Sequence, residues 1–232
     1  MAAWLNHQAA APCPVRFVPQ AQLSAGASYE PFIHAQGCVP TRDNLHDLFN
    51  GLIWLHYPRT KRLLNRWQAQ AMATQGIGGV RGPLRDAITV WDENGAVLDA
   101  PEPLWQALIH RQWRRLFVDL RPLWAQARFL IVGHALLEQL AQQPRKNLTA
   151  HVLWPAAPLA AGMDVDAWLG ATLQAGYLAS KPFVPLPVLG IPGWCEGNAD
   201  FCFYDDPHVF RAASARPKPL QRAAEALAEL GS

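Results

Sequence analysis

Proline occurs too often in this chain for long helices and strands to dominate its fold. Twenty of the 232 residues are proline, and a proline ring breaks a helix and removes a backbone donor from a sheet. Prolines crowd most densely between residues 182 and 192, where they exclude a helix and favour extended structure packed on a core. We therefore expect an α+β fold, with many short helices around a small mixed sheet.

The hydrophobic content sets the expected domain organisation. Hydrophobic residues make up 50% of the chain, which is enough to bury a substantial core. No linker divides the sequence, so we expect one globular domain over residues 29–211. Residues 1–28 are weakly patterned and are predicted to cover the surface, and residues 212–232 are predicted to form a C-terminal helical tail.

Two successive helices give the strongest local pattern. Apolar residues recur at three- and four-residue spacing over residues 41–57, which predicts a helix capped by Thr41 or Asp43. Pro58 ends this helix and suits the first position of a second helix. We expect that second helix to continue to about Ala73.

The clearest strand signal is a β-hairpin. Residues 86–92 alternate between apolar and polar side chains, and Glu93-Asn94-Gly95 is typical of a hairpin turn because Asn-Gly readily adopts positive φ. The segment after this turn would return as the partner strand, which predicts a hairpin near residues 86–98. A further short strand is expected over residues 128–132, directly before a helix that begins near His134.

The charge balance restricts the class of partner. Lys and Arg together number 20 and Asp and Glu 18, giving a net charge of +2, which argues against a large nucleic-acid-binding surface. Charged residues make up only 16% of the chain, compared with about 25% in a typical globular protein. Part of the neutral surface is therefore expected to face a partner subunit, as in a homo-oligomer.

The expected compartment follows from the cysteines and the apolar segments. No stretch approaches the roughly 18 apolar residues of a membrane helix, and the first residues lack the basic start and apolar run of a signal peptide. The four cysteines contain no Cys-x-x-Cys pair and are most simply reduced. The sequence thus predicts a cytoplasmic protein that does not enter a membrane.

The first predicted helix has an unusual polar face. Asp43, His46, Asp47 and Asn50 fall together by helical spacing, and no lysine or arginine accompanies them. Two carboxylates, an imidazole and an amide are a ligand set that suits a divalent metal. They also suit a general base with its orienting partner. In the structural alternative, Asp43 caps the helix and His46 is a hydrogen-bonded core residue.

A second histidine occupies a position that often binds ligands. His134 follows a predicted buried strand and opens a helix, and Glu138 lies one turn later on the same face. Strand ends that lead into helix N-termini are favoured ligand positions in α/β structures. The alternative is that His134 caps the helix and Glu138 is solvated.

Basic residues cluster at two turns. Arg59 and Lys61 lie at the start of the second predicted helix, where free backbone N–H groups attract anions. Arg81 and Arg85 stand beside Asp86, and arginine is suited to bidentate binding of phosphate or carboxylate. Internal ion pairs that fix loops are the structural alternative.

One further acidic segment lies near the C-terminus. Asp206 and His208 would point to the same side of an extended chain and would then form a metal-ligand pair. A turn stabilised by aspartate side chains is the alternative, and it is favoured because Asp-Asp-Pro is common in turns.

Four runs of the sequence resemble the bacterial family known as domain of unknown function 3025. They span residues 39 to 211 in order and read VPTRDNLHDLFNGLIWLHYPRTKRLLN, RGPLRDAITVWDENG, FLIVGHALLEQL and PLPVLGIPGWCEGNADFCFYDDPHVFR. The resemblance implies family membership and no particular reaction. These runs contain most of the polar residues named above.

Two functions from different classes remain open. The favoured one is a metal-assisted hydrolase of a phosphate-containing or other anionic small substrate. Its predicted catalytic residues are His46, Asp47 and His134, and its predicted anion-binding residues are Arg59, Lys61, Arg81 and Arg85. A divalent metal would be held by Asp43, His46, Asp47, Asp206 and His208. The other function is a non-catalytic binding or assembly protein in which these groups form buried ion pairs.

Overall fold

The computed structural model describes residues 1–9, 13–75, 82–155 and 158–212. The α-helices are α1 (Ala2–Gln8), α2 (Tyr29–Gln36), α3 (Leu45–His56), α4 (Pro58–Gln75), α5 (Pro83–Asn94), α6 (Glu102–Ile109), α7 (His134–Ala141), α8 (Val165–Thr172) and α9 (Ala175–Ala179). The strands are β1 (Arg16–Pro19), β2 (Cys38–Thr41), β3 (Gly95–Asp99), β4 (Arg128–Ile131), β5 (Thr149–Leu153) and β6 (Val184–Pro187). Within the described ranges, every helix is too short or too polar to cross a lipid bilayer.

The chain forms two compact units. The first contains the described residues of Met1–Glu93, Val132–Glu138 and Gly162–Lys181, and the second contains those of Asn94–Ile131, Gln139–Ala161 and Pro182–Ser232. The predicted C-terminal tail, residues 212–232, lies outside the described residues apart from its first position.

The core of the first unit joins helices to a two-stranded parallel sheet. Strand β1 pairs with β2, and α1, α2 and α3 contribute apolar side chains against this pair. The buried cluster includes Leu5, Phe17, Ile33, Val39 and Trp54. Residues 1–28, which the sequence predicted at the surface, therefore supply part of this core through Leu5 and Phe17.

Helices α3 and α4 follow each other as the sequence predicted, with Pro58 opening α4. The predicted caps of α3 are wrong. Asn44 is the N-cap and its side chain accepts the backbone N–H of Asp47. Thr41 instead lies in β2, and Asp43 pairs with the amino group of Met1 at 2.6 Å. Asparagine and aspartate cap helices about equally well, so their neighbours decided which one was used.

The second unit contains a four-stranded mixed sheet in the order β4-β3-β5-β6. Strand β3 pairs antiparallel with β4 and parallel with β5, and β5 pairs antiparallel with β6. Strand β6 lies in the proline-rich stretch that was predicted to be extended. The predicted α+β class, with many short helices around small mixed sheets, is confirmed.

The predicted β-hairpin near residues 86–98 is wrong. Residues 83–94 form α5, and only the segment after Asn94 is a strand. Ala87, Ile88 and Trp91 are buried at helical spacing, and Pro83 occupies the first position of the helix, where proline is favoured. The β-branched Ile-Thr-Val run suggested alternation, but burial of the Trp91 face satisfies a helical period instead.

Candidate metal centre

Two histidines that are distant in the sequence meet in the first unit. His46 lies in the first turn of α3, and His134 is the first residue of α7. Their Nε2 atoms are 3.2 Å apart, and their ring centroids are 4.6 Å apart with the planes at 73°. His134 is buried, whereas His46 is partly exposed.

A carboxylate completes a group of three ligand atoms. Glu93, in the last turn of α5, places its Oε2 atom 3.7 Å from Nε2 of His134. The ligand atoms of His46, Glu93 and His134 all lie within 4.8 Å of one another. Two histidine nitrogens on one tetrahedral zinc ion, each at about 2.0–2.1 Å, stand about 3.3 Å apart. The observed separation of the two imidazole nitrogens therefore fits a shared divalent ion.

Each imidazole also has an acid behind it. The Nδ1 atom of His46 lies 3.0 Å from Oε2 of Glu138, and Nδ1 of His134 lies 3.6 Å from Oδ2 of Asp92. Metal-binding histidines commonly direct their second nitrogen at a carboxylate, which fixes the ring and its tautomer. Both rings thus present Nε2 to the same point and Nδ1 to an acid.

Without a metal ion, the ring nitrogens of two neutral histidines cannot all form hydrogen bonds in this arrangement. A neutral His46 that donates from Nδ1 to Glu138 keeps a lone pair on Nε2. If His134 also directs a proton at Asp92, two lone pairs face each other at 3.2 Å. If it instead donates from Nε2 to His46, its buried Nδ1 has no hydrogen-bond partner among the described residues. A cation between the rings would accept both Nε2 lone pairs and so remove the conflict between them.

The protonation of the centre favours metal binding. Burial lowers the pKa of His134 below its ordinary value, even though Asp92 acts in the opposite direction. Burial acts to raise the pKa of Asp92, but the positive charges of Lys61 and His134 outweigh it and that pKa is lowered. Metal coordination requires the neutral form of His134, and the ionised form of Asp92 is the one suited to orient this ring.

A buried lysine neutralises Asp92 on its other side. Lys61, from α4, donates from Nζ to Oδ1 of Asp92 at 2.5 Å and to Oδ1 of Asn50 at 3.0 Å. Asn50 in turn donates to the hydroxyl of Tyr29 at 3.2 Å. Burial strongly raises the pKa of Tyr29, so this hydroxyl stays protonated at neutral pH.

The centre opens into a cavity of about 360 Å³ whose lining belongs entirely to the first unit. Two cations, Arg42 and Lys61, line it. Its carboxylates outnumber them and comprise Glu30, Asp47, Asp92 and Glu93. Its apolar wall comprises Leu23, Ile33, Trp54, Leu64 and Ile88. The excess of acid favours a positive ion, and the volume is that of a small-molecule site.

Residues 15–214 match a family model described as a protein of unknown function, DUF3025. The chain belongs to this family. No curated protein and no solved structure matches it. The matched part of this DUF3025 member includes all three candidate ligands, and it leaves out helix α1.

Two predicted ligands of this DUF3025 member are engaged elsewhere. Asp47 lines the cavity, but it accepts from the backbone N of Arg42 at 2.6 Å and from its guanidinium at 2.8 and 3.1 Å. Burial acts to raise the pKa of Asp47, yet these bonds lower it below its ordinary value. Asp43 is exposed and pairs with Met1, and it does not line the cavity.

The predicted pair Asp206 and His208 belongs to the second unit. Asp206 accepts the backbone N–H of His208 at 3.0 Å and pairs with Lys146 at 3.2 Å. Their side chains do not form part of a three-ligand group within the described residues. The turn, which the sequence favoured for this segment, is the arrangement observed.

The three predicted anion-binding cations that the structure describes are dispersed. Lys61 lines the cavity, but it is paired with Asp92. Arg59 is exposed and pairs with Asp164 at 3.2 Å. Arg85 has a buried Nε without a hydrogen-bond partner among the described residues, and it does not line the cavity. Arg81 lies outside the described residues.

Sequence reasoning missed Glu93 and Asp92 because both were assigned to the predicted hairpin. One signal was available. Once residues 83–94 are treated as a helix, two acids fall in its last turn, where the helix dipole disfavours negative charge. Acids in such a position suggest that something positive compensates them.

Proposed function

We propose that this protein is a divalent-metal-dependent hydrolase of a small substrate, with His46, His134 and Glu93 as the metal ligands. One observation carries the proposal: the Nε2 atoms of both histidines converge at 3.2 Å while each Nδ1 faces an acid. Zinc is the ion that best suits two imidazoles and one carboxylate.

The ligand number supports catalysis more than a structural role. Structural zinc sites are usually closed by four protein ligands, whereas catalytic sites have three and an open position. When bound, a divalent ion supplies Lewis acidity and water of lowered pKa. Glu138 and Asp92 would hold the two rings in place, and Lys61 would keep Asp92 ionised.

The size of the cavity and the charges that line it restrict the substrate. A cavity of about 360 Å³ limits it to a small molecule. Of the cations predicted to bind an anion, Arg59, Lys61 and Arg85 lie in the described part of the chain, and only Lys61 among these three lines this cavity. Lys61 and Arg42, the two cations that line the cavity, are paired with Asp92 and Asp47, so a phosphate or other anionic group would be neutralised chiefly by the ion. Four cysteines without a disulfide support the expected cytoplasmic setting.

A non-catalytic protein is the second candidate, and buried ion pairs favour it. Lys61 with Asp92 and Arg42 with Asp47 satisfy one another without any ligand. Such pairs are frequently structural. The convergence of His46 and His134 is explained without a ligand only if the two Nε2 atoms share a hydrogen bond, which leaves the buried Nδ1 of His134 without a partner among the described residues.

Zinc binding by the full chain tests the proposal. Protein stripped with EDTA would be titrated with Zn²⁺ against a chromophoric chelator, and bound metal would be counted by mass spectrometry. We expect one zinc per chain in the wild type, and at least about a hundredfold weaker binding in His46→Ala and His134→Ala. His56→Ala is the matched control, because His56 is exposed at the other end of α3.

Hydrolysis is tested separately with the wild type. Chromogenic phosphate esters, carboxylic esters and amides would be supplied to the zinc-loaded, stripped and reloaded protein. We expect turnover of at least one of these substrates that disappears on stripping and returns on reloading. A wild type that binds no zinc, or that binds it as tightly after His46→Ala, would overturn the metal centre. Zinc binding without any turnover would favour the non-catalytic candidate.

A further inference from the structure

Helix α4 carries a row of arginines on a face that does not line the metal cavity. Arg59, Arg62 and Arg66 follow one another at helical spacing and are all exposed. They line a groove of about 810 Å³ that lies within the first unit, together with exposed His34 from α2. We call this feature the arginine groove.

The charge of the arginine groove is largely uncompensated. Arg59 pairs with Asp164, but Arg62 and Arg66 form no ion pair with a described residue. None of the described residues that line the groove is an aspartate or glutamate. A concave surface with two unpaired guanidinium groups attracts anions and raises their local concentration.

Most of the remaining lining is apolar, and its part from α8 is small. Val15 and Leu63 contribute to it, and α8 contributes Ala167, Gly170 and Ala171. A Cβ atom at Gly170 would stand 3.3 Å from Cβ of Arg59, so glycine permits the close approach of α8 to α4. The groove therefore offers apolar contact alongside its row of positive charge.

We propose that the arginine groove binds an acidic peptide segment of another protein. Arg62 and Arg66 are separated by about 6 Å along the helix axis. Alternate side chains of an extended peptide are separated by about 6.6 Å. Two acidic side chains of such a peptide can thus each meet one arginine while the intervening apolar residues face the alanines of α8. This inference is independent of the proposed hydrolase function.

Single-stranded nucleic acid is the competing polyanion, and the lining fits it less well. Proteins that bind it generally offer exposed aromatic rings on which the bases stack. Among the described lining residues, the rings are those of Trp54, which is 2% exposed, and of the exposed His34, so the groove offers a single accessible imidazole and no accessible Phe, Tyr or Trp. The overall charge of +2 also argues against a nucleic-acid surface.

Fluorescence polarisation with the full chain tests this proposal. The probe is a labelled peptide of alternating glutamate and leucine, and the same peptide with glutamine for glutamate is the uncharged comparison. We expect the acidic peptide to bind saturably at low salt and to weaken markedly as NaCl rises from about 50 mM to about 500 mM. The glutamine peptide should bind at least about tenfold more weakly.

Charge-reversed variants locate the binding. Arg62→Glu/Arg66→Glu should weaken acidic-peptide binding by about tenfold or more, and Arg62→Gln/Arg66→Gln is the milder second variant. Arg114→Glu changes an exposed arginine that does not line the groove and should have no effect. Equal binding of both peptides, equal losses in Arg114→Glu, or tighter binding of labelled oligothymidine than of the acidic peptide would overturn the proposal. None of the substituted arginines lines the metal cavity, so zinc binding should be unchanged in every variant, and failure of this proposal is distinct from failure of the hydrolase.

Discussion

The Nε2 atoms of His46 and His134 lie 3.2 Å apart although the residues are 88 positions apart in the chain. Two neutral imidazoles can share one proton at this distance, but they then leave one Nδ1 beside a carboxylate without a donated proton. A divalent ion accepts both lone pairs and allows Nδ1 of His46 to donate to Glu138, while Nδ1 of His134 faces Asp92 at 3.6 Å, beyond hydrogen-bond distance. The carboxylates beside the Nδ1 atoms therefore favour a shared metal ion over a shared proton between the two histidines.

Replacement of Glu138 by glutamine should weaken zinc binding without abolishing it. Glu138 contacts Nδ1 of His46 at 3.0 Å and does not belong to the three-ligand group. Loss of a carboxylate behind a metal-binding histidine typically costs about 10–100-fold in metal affinity. Competition with a chromophoric chelator measures this change. Glu102→Gln, at an exposed position in α6, is the control, and equal affinities in the two variants would contradict the assigned role.

Replacement of Lys61 by methionine should destabilise the metal-free protein strongly. Lys61 is buried, and its ammonium neutralises Asp92 at 2.5 Å. Removing one member of a buried pair leaves the other charge uncompensated, at a cost of about 3–5 kcal/mol. Urea denaturation in the presence of EDTA measures the free energy of unfolding. Arg62→Met changes the next residue, which is exposed, and should alter it by no more than about 0.5 kcal/mol.

Local sequence patterns predict only part of this site. The polar face of α3 and the position of His134 at a helix start follow from spacing, so both histidines were found. Glu93 was not, because the Ile-Thr-Val run and Asn94-Gly95 are locally typical of a hairpin. Only the tertiary burial of Trp91 shows that this segment is a helix. The meeting of α3, α5 and α7 is likewise a tertiary fact that no local pattern encodes.

Replacement of Gly51 by alanine should weaken the packing of α1 against α3. A Cβ atom at Gly51 would overlap the side chain of Leu5, which is fully buried and has little room to move. Overpacking of this kind costs about 1–3 kcal/mol. Thermal and urea denaturation would measure it. Gly176→Ala is the matched control in α9, where a Cβ atom meets nothing within 4 Å, and alanine there should be neutral or slightly stabilising.

The stability of the protein should depend on pH through Glu30, which lines the cavity. Burial raises the pKa of Glu30 above its ordinary value, and the hydrogen bond from Asn65 at 2.6 Å only partly opposes this. Lys61, Asp92 and Arg85 are the other charged groups that act on it. The folded state therefore holds the Glu30 proton more tightly than the unfolded state.

Because the folded state holds the Glu30 proton more tightly, Glu30 should stabilise the protein less as the pH rises. The contribution of Glu30 is fully present below its ordinary pKa and is lost as pH rises through the raised pKa of the folded state. Glu30→Gln keeps an acceptor for Asn65 but cannot ionise. We expect its free energy of unfolding, relative to the wild type, to increase from about pH 4 to about pH 8. Urea denaturation across this range measures the difference, with Glu102→Gln again as the exposed control. A difference that stays constant or decreases would show that the Glu30 carboxyl is not held protonated by burial.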